Sequence, residues 1–435
     1  MQALIDPPAR RPSLLSRLTG NRYVANLAKL SLSSTLAQVL SFVTVPIILR
    51  LYQPADYGVA ATYTAVVAVL GTAACLRYDV PVVLAETEAE AAALLKLALW
   101  LAFGFSLATL PVFWLIRLWA PWPAVSQLGG LILVVPLSVM GSATAAVLGY
   151  WTNRRGEYTR LAVSRVAGGL TYAGIAIASA LVLGSTPIGL VAGTIGTSLV
   201  TIGILLGSRP GRLEAGVAPA PLRAVARRFR QFPMFNLGMN LLDTFTASLP
   251  LFLFTSLFSP SAAAYFALAN NVLRLPLGII SQSVGQVFVE RAAKLQGDPG
   301  ALFRFMLTNA RNLALVALIP FLLLMIGGPW LFSLVFGHRW YEAGSLARWL
   351  ALSMALTFVV SPISSVPSII NRQNVHFALS IVGFGARVAG LVLGARLGSP
   401  EFAVGGYSLG ESLSLVVLLG WLYRYFAKAA PQAAP

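Results

Sequence analysis

Charge is the scarcest thing in this chain. Of 435 residues only 10% are Asp, Glu, Lys or Arg, and just 14 are acidic. A soluble globular protein carries about 25% charged residues, so this sequence cannot cover two or three water-facing domains with polar groups. Cysteine is nearly missing: Cys75 stands alone, which excludes an intrachain disulfide framework and any cysteine-based metal centre. The two histidines, His338 and His376, are too few and too far apart for a metal cluster. No nucleophile–base constellation and no Walker-type phosphate loop occurs, so an enzyme site, a cofactor and an ATP site are not expected. The first 25 residues are basic and lack a short apolar core before a small-residue cleavage site. They read as an uncleaved cytoplasmic tail.

What is present is apolar. Hydrophobic residues make up 57% of the chain, with 38 glycines and 26 prolines spread through the apolar runs, as is common in membrane helices. A spanning helix needs about 20 such residues. About twelve stretches qualify, near 27–49, 58–76, 93–116, 128–150, 161–183, 186–206, 235–258, 264–288, 307–327, 345–369, 376–397 and 402–425. The segment PWLFSLVFG at 329–337 is too short to cross and is expected to lie at the outer interface.

The excess of base sets the orientation. The net charge is +17, but no aromatic–basic pattern points to nucleic acid. With the N-terminus inside, Arg50, Arg117, Arg339, Arg348 and Arg396 are the basic residues left in outer segments, and Arg274 and Arg387 fall within spans. All the other Lys and Arg residues face the cytoplasm. That asymmetry predicts both termini inside.

The longest inner connection, GSRPGRLEAGVAPAPLRAVARRFRQ at 207–231, separates two sets of six spans. Its second part reads as a basic amphipathic helix on the anionic inner surface. The expected layout is a cytoplasmic tail 1–26, a bundle 27–206, a linker 207–231, a bundle 232–426 and a tail 427–435. A short echo supports two equivalent halves. In LYQP, Leu51, Tyr52 and Pro54 match Leu257, Phe258 and Pro260 of LFSP, at a constant offset close to half the chain. Both elements close an outward-running span. The fold class is therefore an all-α, polytopic membrane protein of two six-helix bundles. A pseudo-two-fold along the membrane normal would relate them, a carrier architecture with the path between the halves.

Ionisable groups at membrane depth are costly and face a cavity or a partner. The second bundle holds four: Asp243, Arg274, Arg387 and Glu411. At ~1.5 Å per residue, Arg387 and Glu411 fall near the midplane. In one reading Arg274 and Arg387 meet an anionic substrate, since a guanidinium matches phosphate oxygens bidentately. Asp243 and Glu411 then balance them or bind a coupling proton or cation. In the other they form two structural ion pairs, Asp243–Arg274 and Arg387–Glu411. Near the inner face, Arg77 and Asp79 precede the acidic helix entry of Glu86, Glu88 and Glu90. They form either a solvated helix entry or a cytoplasmic gate that contacts the other bundle.

Four stretches in succession carry a resemblance. They are LAQVLSFVTVPIILRLYQPADYG at 36–58, LRYDVPVVLAETEAEAAAL at 76–94, YFALANNVLRLPLGIISQSVGQVF at 265–288, and the run from Leu331 to Gln373 with its F-G-x-x-W-x-x-A-G element. Together they resemble the bacterial polysaccharide (O-antigen type) flippases of the multidrug/oligosaccharidyl-lipid/polysaccharide exporter superfamily. Many relatives carry R-Y-E where this chain has Arg77-Tyr78-Asp79. The resemblance implies a V-shaped, inner-membrane carrier for a polyprenyl-pyrophosphate-linked oligosaccharide. Alternating access would be driven by a proton, Na+ or the membrane potential, alongside polymerase and chain-length machinery. Such a substrate needs cations for its pyrophosphate and polar walls for its sugars; Asn236, Asn240, Asn270, Asn271, Gln282 and Gln286 could supply the walls. An ion-coupled multidrug or small-molecule antiporter of the same fold is the alternative. A polymerase or ligase is a weaker one, because no large outer loop is present.

Overall fold

The computed structural model describes residues 43–119, 127–210 and 220–429; at 119, 275–284, 286, 287, 428 and 429 this covers the backbone alone. Most of the 27–49 span lies outside the described residues, and only its end, 43–51, is seen as helix. Among the described residues there is no strand. Long helices follow one another: α1 (Pro54–Ala74), α2 (Glu88–Trp119), α3 (Val135–Arg154), α4 (Tyr158–Leu183), α5 (Pro187–Leu206), α6 (Leu237–Leu257), α7 (Pro260–Lys294), α8 (Pro299–Phe336), α9 (Tyr341–Val360), α10 (Gln373–Ala395) and α11 (Pro400–Ala429). All but α7 belong to the ten candidate spans that, among the described residues, are long and apolar enough to cross a bilayer. The chain is a multi-pass membrane protein. The polar-interrupted stretch 264–288 is nevertheless one continuous helix within the 35 residues of α7.

Two expectations fail. The segment 329–337 is not a separate interfacial piece, because α8 runs unbroken through Pro320 and Pro329 to Phe336. Phe332 and Phe336 are buried beside Trp340, and this packing holds the last turns in line. Conversely, the 345–369 span ends early, at Val360. Pro362 and Pro367 then force short turns at Ile363–Ser365 and Val366–Ile369.

The echoed turns do the same job in both halves. Pro54 and Pro260 each take the first helical position of α1 and α7, where a missing N–H costs nothing. Ser259 caps α7 by accepting from the Ala262 amide at 3.1 Å. The two turns also meet. Gly58 on α1 lies so close to the Pro260 carbonyl that any Cβ there would overlap it. Trp340 Nε1 donates to Leu49 O at 2.8 Å, and Arg50 Nη2 to Leu334 O at 2.8 Å. These contacts join the two bundles at the end poor in arginine. Along the same seam the hydroxyls of Thr62 and Thr255 are 2.9 Å apart, and those of Thr72 and Thr244 3.2 Å apart. Gly58→Val is expected to wedge this seam and destabilise the protein by about 1–3 kcal/mol, read as a fall in melting temperature.

At the arginine-rich end the connecting helix Leu222–Arg228 is tied to the first bundle. Val225 is buried in that bundle's core. Arg228 pairs with Glu86 at 2.7 Å and also with Glu90, and Tyr78 donates to Ala226 O at 3.0 Å. The helix expected to rest on the lipid surface is thus held on one face by protein.

Candidate functional site

Small residues bring the buried charges together. On α10, Gly383, Gly390 and Gly394 let the backbone press against Ser414, Gly406 and Phe402 of α11, and Gly410 lies against Ala386. Side-chain-poor faces permit this approach in membrane helices. It carries Arg387 to Glu411, whose Oε2 is 2.8 Å from Nη1. Arg387 Nε also donates to Gly383 O at 3.2 Å. One of the two ion pairs considered from the sequence therefore forms.

The other does not. Arg274 Nε donates to Asn270 Oδ1 at 3.0 Å, one turn back on α7, and the group is exposed. Among the described residues neither Arg274 nor Asp243, which is exposed on α6, has a partner of opposite charge. The Arg274 guanidinium is the positive charge in excess, since the Arg387–Glu411 pair is internally neutral. A small cleft beside that pair is lined by Thr246 and Pro250 of α6, Phe384 and Arg387 of α10, and Tyr407 of α11.

A cavity of about 360 Å³ opens between the bundles. Asn270 and Asn271 line it. Facing them are Tyr57 and Thr64 of α1, Tyr172 of α4 and Thr194 of α5. These first-bundle groups do not stand out in the sequence, because no mid-span charge marks their helices as it marks those of the second bundle. Their one legible signal is the seven-residue spacing of Tyr57 and Thr64, which sets both on one face of a helix. Asn236 and Asn240 sit lower on α6 and do not line this cavity. Asn240 Nδ2 donates to Asn236 O at 2.7 Å, just after the wide π-type turn Phe232–Asn236, which frequently marks functional positions. The Gln282 and Gln286 side chains lie outside the described residues.

Arg77 and Asp79 pair with each other, Nη1 to Oδ2 at 3.7 Å. Among the described residues they make no contact with the second bundle in this state; Tyr78 between them reaches the connecting helix. Leu76 and Arg77 have φ of +47° and +61°, a left-handed conformation that costs non-glycine residues energy and clusters at functional sites. Burial pushes the Asp79 carboxyl up from its usual range, against the pull of Arg77. For an acid raised in the folded state, the stabilising contribution is full below its unfolded value and is lost as pH rises through the folded one. Melting temperatures of wild type and Asp79→Asn, compared from pH 4 to 7, should diverge: the wild type loses stability with rising pH relative to the variant.

Residues 47–345 match the family model described as polysaccharide biosynthesis protein. The chain belongs to the polysaccharide biosynthesis protein family. Among curated proteins none matches the sequence. The fold of this family member is similar to an inward-facing multidrug resistance MATE transporter of the MOP superfamily, at a TM-score of 0.73 and 15% identity, covering 94% of this chain and 100% of that one. It is also similar to the lipid II flippase MurJ in an inward closed conformation, at a TM-score of 0.69 and 13% identity over 91% and 87% of the two chains. A MOP superfamily transporter from Pyrococcus furiosus matches at a TM-score of 0.60 and 16% identity, over 96% and 99%. The two-bundle fold is thus that of MOP-type transporters.

Proposed function

We propose that the protein is a carrier, not an enzyme. It would move a polyprenyl-pyrophosphate-linked oligosaccharide from the inner to the outer leaflet of the bacterial cytoplasmic membrane, in the assembly of a surface polysaccharide such as O-antigen. The observation that carries the reading is the excess guanidinium of Arg274, one turn from an aromatic- and hydroxyl-lined cavity between the bundles. A pyrophosphate takes bidentate hydrogen bonds from arginine. Tyr57, Tyr172 and Phe266 offer ring faces to sugars, while Asn270, Asn271, Thr64, Thr194 and Ser248 offer hydrogen bonds. The polyprenyl tail would stay in the bilayer.

In this reading the arginine-rich end and both termini are cytoplasmic. The halves are residues 27–206 and 232–426, joined by 207–231. Arg274 is the first phosphate contact. Arg387 joins when the substrate competes with Glu411 for it, so that Glu411, like the unpaired Asp243, becomes free to take a proton or Na+. Arg77 and Asp79 act at the cytoplasmic entrance through Tyr78 and the connecting helix. A polymerase and its chain-length partners would receive the product.

The test is reconstitution with the native lipid-linked glycan, following leaflet-specific accessibility under imposed proton and Na+ gradients. Translocation of the glycan is expected, and its speed should depend on one of the gradients. Export of cationic drugs with no glycan movement would replace this reading with that of an antiporter. Asp243→Asn and Glu411→Gln should blunt the gradient dependence. Unchanged dependence in both would leave Glu411 as a structural partner of Arg387.

A further inference from the structure

We propose that the helix connecting the bundles carries a binding site for the headgroup of an anionic phospholipid. Arg223 and Arg227 stand one turn apart on the helix Leu222–Arg228, and Arg230 lies in the turn that follows. With Pro221, Ala224, Gln231 and the ion-paired Arg228 they line an open concavity of about 810 Å³. All three arginines are exposed, and none has a carboxylate partner among the described residues. Their neighbour Arg228 is different: its charge is consumed by Glu86 and Glu90. Those contacts, with Val225 buried beneath, fix one face of the helix on the first bundle and turn the other cations outward. No acidic residue occurs between 220 and 242, so the cluster has no counter-charge of its own near it in the chain.

The neighbouring apolar groups decide what kind of anion fits. Leu222, Met234 and Phe235 are exposed, and the candidate span leading into α6 begins at Phe232. The arginines therefore stand within nine residues of the point where the chain enters the bilayer. A free phosphate ion would satisfy the guanidiniums but make no use of these bilayer-facing apolar side chains. A phospholipid satisfies both, its phosphate on the arginines and its acyl chains against Met234 and Phe235. Basic residues this close to an anionic membrane surface each contribute roughly fivefold to binding.

The experiment uses the full chain, purified in a neutral detergent and titrated with phosphatidylglycerol, phosphatidylcholine or inorganic phosphate, with bound lipid counted by native mass spectrometry. Wild type should hold phosphatidylglycerol in preference to phosphatidylcholine. Arg223→Gln and Arg227→Gln should each weaken that retention about fivefold, and the triple variant with Arg230→Gln should abolish the preference at an unchanged melting temperature. Retention by the triple variant equal to wild type would overturn the proposal. So would displacement of the lipid by millimolar inorganic phosphate, which would make this a free-anion site.

Discussion

An Arg274→Ala protein is expected to reach the membrane at wild-type abundance and to export less than a few per cent of the wild-type polysaccharide. The structure separates abundance from activity here. Arg274 is exposed, and its hydrogen bond among the described residues is to Asn270 one turn away, so its loss leaves no described carboxylate unpaired. In the loaded carrier, however, the same guanidinium would be desolvated against phosphate. Removing one member of such a pair costs about 2–5 kcal/mol, roughly thirtyfold or more in affinity. Arg274→Lys keeps the charge but loses the bidentate fork, and should recover part of the activity. Surface polysaccharide and membrane abundance, measured together in the three strains, check this. Full export by Arg274→Ala would remove the residue from the site.

Arg387→Ala should behave differently, although both arginines read alike in the sequence. Its side chain and that of Glu411 are only 23% and 13% exposed. Truncating one partner of a buried pair strands the other, a penalty of about 3–5 kcal/mol. Arg387→Ala should therefore lose abundance as well as export, and adding Glu411→Gln should restore the abundance but not the export. Were the double variant to export fully, Arg387 would have no part in substrate binding.

The second large effect is mechanical. Replacing Thr62 and Thr255 with cysteine should give a protein that works when reduced and stops completely when oxidised. The hydroxyls are 2.9 Å apart across the seam of the two bundles, within the range that side chains bridged by a disulfide can reach. A carrier that alternates must part this seam in each cycle. The natural thiol does not interfere: Cys75 is buried, and desolvation pushes it up to about 12, which leaves almost no reactive thiolate. Undiminished transport after complete cross-linking would exclude any motion that opens α1 from α6 at this point.

Much of this was open to reading from the chain alone, because it rests on local or summed properties. Scarcity of charge and runs of about 20 apolar residues define a membrane protein whatever its packing. Pro54 and Pro260 mark two helix starts because proline fixes its own φ and forgoes a hydrogen bond. The four ionisable residues of the second bundle stood out because charge in an apolar run is expensive wherever the helix points. Rotation and neighbourhood were not legible. Arg274 and Arg387 have the same chemistry in similar surroundings of sequence, and only the glycine-mediated approach of α10 to α11 gives Arg387 a carboxylate while leaving Arg274 without one. Phe332 and Phe336 keep α8 helical past Pro329 because they are buried beside Trp340, a contact no nearby residue announces. Tyr57, Thr64, Tyr172 and Thr194 become a cavity wall only when α1, α4 and α5 meet the second bundle. Local chemistry determined which segments cross the membrane and where charge is costly. Which charges pair, and which uncharged groups face them, was decided by helix rotation and close approach, which arise only when the bundles pack.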